Sequence, residues 1–147
     1  QRQLTPEEIR RREAEAAAAE AERLAAERRR EKDRELLRLY GTPEDVTRAL
    51  ERRIASIEGA IRTVEGNIQR LRNQKRNLER RAADYERTGR EIPEGLIDNI
   101  RVIDGQIDER QQEIEQRRAE IETTREEFAR DRDRVRYLLG LSVGESD

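Results

Sequence analysis

Residues 54–85 read IASIEGAIRTVEGNIQRLRNQKRNLERRAADY, with Ile54, Ile57, Ile61, Val64, Ile68, Leu71, Leu78, Ala82 and Tyr85 spaced three and four apart and Lys75 interrupting them. Spacing of this kind puts the apolar groups on one narrow helical stripe, as in a coiled-coil seam. Past Gly89 the pattern resumes through Leu96, Ile100, Ile103, Ile107, Arg110, Ile114, Arg117, Ile121, Thr124, Phe128, Asp131, Val135 and Leu138. Two arms around one turn predict an all-α fold, a long N-terminal helix followed by an antiparallel coiled-coil helical hairpin. The predicted seam is Leu50, Ile54, Ile57, Ile61, Val64, Ile68, Leu71 and Leu78 against Ile100, Ile103, Ile107, Ile114, Ile121 and Phe128.

Composition agrees with thin packing. The chain has 147 residues, of which 33% are hydrophobic and 45% charged, too little apolar material for a thick globular core. So polar a chain invites disorder, but disordered chains do not hold apolar positions in phase over about six heptads. Net charge is −2, yet the segments differ: residues 1–40 carry 11 basic and 10 acidic groups, 41–92 carry 12 and 9, and 93–147 carry 9 and 15. Opposite signs on the two arms predict that the charge is consumed internally by pairing between them. No stretch of about 18 apolar residues is present, so no transmembrane segment is expected. The absence of cysteine fits a reducing cytosol or a disulfide-free envelope protein equally. The chain opens at Gln1 with neither initiator Met nor signal peptide, and the expectation is a mature or excised fragment.

Helix starts are marked by cap chemistry. Thr5-Pro6-Glu7-Glu8 offers a Thr N-cap, Pro at the first helical position and Glu three residues after the cap. An Ala/Glu/Arg-rich helix with little to bury should run from there to Tyr40. Gly41 reads as a left-handed stop, and Thr42-Pro43-Glu44-Asp45 repeats the start signal. The second helix should end at Thr88-Gly89-Arg90, with Ile92-Pro93-Glu94 opening the third. The predicted divisions are 1–41 for the N-terminal helix, 42–139 for the hairpin and 140–147 for a flexible tail.

Antiparallel arms hold the sum of paired residue numbers constant. A sum of 178 centres on Gly89 and sets Leu78 opposite Ile100, Leu71 opposite Ile107, Val64 opposite Ile114, Ile57 opposite Ile121 and Leu50 opposite Phe128. It also lays the stems of Lys75, Arg110 and Arg117 along Ile103, Ile68 and Ile61. A sum of 185 would oppose Lys75 to Arg110, and like charges in a seam disfavour it.

Three further groups are candidates for function. Arg70, Arg72, Arg76, Arg80 and Arg81 form a basic patch whose functional reading is phosphate binding; their expected neighbours Asp98, Asp104 and Asp108 and the lack of interleaved aromatics favour a structural role. Arg110, Arg117, Thr124 and Asp131 mark either a docking line for a further helix or residues that fix register. Leu36, Leu37, Leu39 and Tyr40 should meet Val46, Tyr137, Leu138, Leu139 and Leu141 at the open end of the hairpin, as a small core or an exposed dimer patch. Without His or Cys, and with serine only at Ser56, Ser142 and Ser146, no activated nucleophile can be assembled. No enzyme, metal site or cofactor is expected.

The block Leu4-Thr5-Pro6-Glu7-Glu8, the run Asp33-Arg34-Glu35-Leu36-Leu37-Arg38-Leu39-Tyr40 and the turn Tyr85-Glu86-Arg87-Thr88-Gly89-Arg90-Glu91-Ile92-Pro93 together resemble one family. It is the helical C-terminal region of Gram-negative envelope proteins that carry an N-terminal domain of unknown function. In that family a Tyr-Lys-Trp and Asp-x-x-Gly signature precedes a long helix, a Leu-Leu-x-x-Tyr junction and a hairpin with Gly and Pro in its turn. The signature is absent from this sequence. The resemblance implies a periplasmic or envelope location and supplies no catalytic residues. The expected function is a non-enzymatic coiled-coil spacer or scaffold that binds a protein partner or itself, with a homo-dimer favoured and a cytoplasmic location otherwise. The alternatives are a nucleic-acid or anionic-surface binder using Arg70–Arg81 and a self-assembling filament subunit.

Overall fold

The computed structural model describes residues 2–140 and is all-helical among them: α1 (Pro6–Leu39), α2 (Pro43–Arg87) and α3 (Glu94–Leu138). α1 begins as the sequence predicts. Thr5 is extended, and its hydroxyl accepts from the Glu8 backbone N–H at 3.1 Å, satisfying one of the orphan donors of the first turn. At the other end Tyr40 is extended and its N–H donates to the Leu36 carbonyl at 2.9 Å.

Between α1 and α2 one expectation is corrected. Gly41 is not left-handed; positive φ occurs at Gly89 and Gly140 among the described residues. Instead the Asp45 carboxylate reaches back to accept from the N–H groups of Gly41 and Thr42, each at 3.1 Å, while the Thr42 hydroxyl accepts from the Asp45 N–H at 3.2 Å. This reciprocal capping box satisfies three donors. A Cβ at Gly41 would lie 3.4 Å from that Asp45 oxygen, so the glycine allows the carboxylate's close approach.

α2 ends at a left-handed Gly89 with φ of 70°. The Arg90 N–H donates to the Tyr85 carbonyl at 2.9 Å and the Gly89 N–H to Glu86 at 3.1 Å, the two bonds of a Schellman motif. The Arg90 guanidinium lies over the Tyr85 ring, 4.4 Å from its centroid.

Contacts divide the chain into two compact units. One combines the chain up to Val46 with the chain from Arg130 onward; the other is Thr47–Ala129. In the first, Val46 and Val135 are fully buried, Pro43 and Arg136 are buried with them, and α1 contributes no buried residue. Arg134 donates two hydrogen bonds to Asp33, at 2.9 and 2.7 Å, tying the end of α1 to α3. In the second unit, Ile57, Ile61, Val64 and Ile68 of α2 form one cluster with Ile103, Ile107 and Ile114 of α3, and Leu71, Leu78 and Ile121 pack against it. Burying each such side chain is worth about 1.5–3 kcal/mol, which makes this stripe the main source of cohesion there.

Candidate interaction surfaces

Every predicted seam residue is at least partly covered. Ile54, Ile57, Ile61, Val64, Ile68, Ile103, Ile107 and Ile114 are buried, and Leu50, Leu71, Leu78, Ile100, Ile121 and Phe128 are half-buried. Lys75 behaves as its position in the stripe requires. Its ammonium leaves the apolar line and pairs with Asp104 at 2.7 Å, one residue from the predicted opposite number Ile103. The hydrogen bond to Asp104 raises its pKa, helped by the nearby charges of Glu79 and Asp108.

Arg110 and Arg117 hold carboxylates of their own helix, Glu113 at 3.1 Å and Glu120 at 3.3 Å. Glu120 also accepts from Arg53 of α2 at 2.9 Å, so one carboxylate bridges two guanidiniums on two helices. Thr124 is buried without being apolar. Lys75–Asp104 and Arg53–Glu120 share a trend: as residue number rises along α2, the partner's number falls along α3.

In the other unit the predicted apolar group separates. Leu36, Tyr40 and Leu138 are half-buried, whereas Leu37, Leu39, Tyr137 and Leu139 are exposed, Tyr137 at 65%. Leu141 lies outside the described residues. The Arg134 guanidinium covers the Tyr137 ring at 4.9 Å while also holding Asp33. Hydrogen bonding to Arg134 lowers the Asp33 pKa, and the same bond raises that of Arg134. Arg136, buried at 6% exposure, was not singled out in the sequence. Helical phase carried the signal, since Arg136 follows Val135 on the stripe's edge, and its charge masked it.

The basic patch departs from expectation. Arg70, Arg72, Arg76, Arg80 and Arg81 are all exposed. Arg70 bonds Asn67 and Arg76 bonds Asn73 within α2, and among the described residues none of the five reaches a carboxylate. Asp98 pairs instead with Arg101 of its own helix at 3.6 Å. The physical reason is reach: Lys75 occupies a position in the stripe, within 2.7 Å of Asp104, while these arginines sit farther round the helix. A broad open groove is lined by Glu65, Gln69 and Arg72 on α2 and Asp108, Gln111 and Glu115 on α3. Among the described residues, no group of three or more His, Cys, Asp or Glu side chains is placed to hold a metal ion, and no helix is long and apolar enough to cross a membrane. No family model, curated protein or solved structure matches the chain.

Proposed function

We propose that this protein is a non-enzymatic structural or protein–protein interaction module of the cell envelope, a scaffold or spacer built on an antiparallel coiled-coil hairpin with its tip at Gly89. The observation that carries the reading is the single aliphatic cluster shared by α2 and α3, extending from Ile57 to Leu78 on one helix and from Ile103 to Ile121 on the other. A long seam of this kind sets a fixed distance and leaves both outer faces free for a partner. The descending partner order of Lys75–Asp104 and Arg53–Glu120 supports opposed arms. The periplasmic assignment rests on the family resemblance, and self-association as a dimer on the polar face left uncovered.

Distances between spin labels at the exposed positions Arg52 and Glu126 test the architecture, in samples where labelled protein is diluted with unlabelled. Opposed arms place the labelled helices about 8–10 Å apart axis to axis; one straight rod would separate these positions by about 110 Å and defeat the reading. Crosslinking in cells followed by identification of the captured proteins tests the scaffold role, and recovery of no partner and no second copy would count against it.

A further inference from the structure

Two grooves run between α2 and α3, and their chemistry differs. One carries charge on Glu65, Arg72, Asp108, Glu115 and Arg118. The other is lined by the amides of Asn67, Gln74, Asn77, Asn99 and Gln106, with Val102 among them. Val102 is 58% exposed, and among the described residues it is the large apolar side chain that the Thr47–Ala129 unit leaves open. On α2 the uncharged line is long. Ser56, Ala60, Thr63, Asn67, Gln74 and Asn77 keep a three-four spacing over about 32 Å, with Arg70 the one charge in it. α2 therefore has a second stripe besides the aliphatic one buried against α3. Its small side chains let a further helix come close, and covering amides avoids the cost of burying charges.

The chain also carries a helix of matching character. Ala14, Ala17, Ala18, Ala21, Leu24 and Ala25 share one ridge of α1, about 17 Å long. Residues 10–24 are exposed to solvent, so the ridge is available to a partner. Glu13 and Glu20 border it on one side and Glu15 and Glu22 on the other, while Arg23 lies behind it, paired with Glu20 at 2.6 Å and Glu27 at 3.5 Å. The amide-lined groove offers the opposite sign. Glu109 and Arg110 in it offset each other at 3.9 Å, whereas Arg70 lines it and Arg81 continues its spacing along α2, both exposed and neither reaching a carboxylate among the described residues. We propose that this groove docks the alanine ridge of α1, residues 14–25, from a second copy of the chain. This rests on the hairpin reading above and adds the surface and the partner. The docked ridge covers Val102, and one of its glutamate edges lies toward Arg70 and Arg81. A phosphate backbone suits the groove poorly, since two arginines stand among amides and a valine. Each copy has one ridge and one groove, and the contact joins unlike surfaces.

The chain has no cysteine, so introduced thiols report the contact directly. Copies with Ala21→Cys and Gln74→Cys, mixed and oxidised, should crosslink to each other well above the yield of Ala21→Cys with Gln69→Cys, whose thiol lies in the charged groove. Equal yields from the two grooves, or crosslinks mainly between like copies, would overturn the proposal. Sedimentation of the whole chain across a concentration series should show self-association. Gln74→Glu with Asn77→Glu sets carboxylates against the glutamate edges and should weaken it at least about tenfold, whereas Gln69→Glu with Gln111→Glu in the other groove should leave it unchanged. Deuterium uptake by residues 14–25 should slow as concentration rises. A monomer at every concentration, or association indifferent to the Gln74 and Asn77 pair, would also sink the idea. Circular dichroism melting confirms that these exposed substitutions leave the helices folded; if a pair unfolds the chain, the thiol crosslinks carry the test. Failure with Arg52 and Glu126 still close leaves the hairpin standing, whereas a rod-length distance removes both.

Discussion

Single side chains at the helix junctions and in the stripe carry consequences that can be measured separately. Asp33 is the clearest. Its carboxyl lies below the usual range because Arg134 donates two hydrogen bonds to it. A lowered acid stabilises the fold fully above the unfolded value of about 3.9 and loses that contribution as pH falls through the lower folded value. Acid titration of thermal stability should therefore show a component, ending below the ordinary carboxylate range, that Asp33→Asn removes. In the stripe, Ile68 is buried while its neighbour Gln69 is exposed. Ile68→Asp is expected to destabilise by about 4 kcal/mol, combining a lost aliphatic group with a buried charge, and Gln69→Asp by under about 0.5 kcal/mol, read from thermal or urea melts. The sequence displayed this contrast directly, since period alone separates the two positions. It did not display the role of Gly41, because a glycine after a helix signals a left-handed stop far more often than the approach of a capping carboxylate three residues into the next helix. Arg136 was marked only by helical phase, its charge masking a position beside the buried Val135.

At the level of whole elements, α2 and α3 are held by their neighbours and α1 largely by itself. The stripe that decided α2 and α3 was readable because iso-leucine and leucine recur without a break in phase; α1 has no such stripe, and sequence spacing left open what it touches. The structure answers through one end, with Leu36 and Tyr40 half-buried and Asp33 paired, while residues 10–24 are exposed throughout. The Gly89 turn gives a test at this scale. A side chain in left-handed backbone costs roughly 1–2 kcal/mol, so Gly89→Val should lower the stability of the Thr47–Ala129 unit by about that amount, whereas Gly66→Ala, in the interior of α2 with open space for a Cβ, should raise helix stability by about 0.5–1 kcal/mol. Urea unfolding of the two variants separates these directions.

For the molecule entire, the candidate surfaces divide between what periodicity reveals and what only placement reveals. The aliphatic positions that cluster between α2 and α3, from Ile57 to Ile68 and from Ile103 to Ile114, stand out in the sequence by their spacing. The fate of the arginines was not legible, because opposite net charge on two segments predicts mutual pairing, while the angular position of each residue on its helix determines whether it can reach. Lys75 reaches Asp104; Arg72, Arg80 and Arg81 do not reach a carboxylate among the described residues. Most of α1 has another consequence. Pairs such as Arg23 with Glu20, at 2.6 Å, brace the helix from within, and residues 10–24 are exposed to solvent in the structure. Its peptide N–H groups should then trade hydrogen for deuterium through brief local fraying, orders of magnitude faster than those beneath the aliphatic cluster, which wait for cooperative opening. A deuterium uptake map would thus show two clocks within one chain.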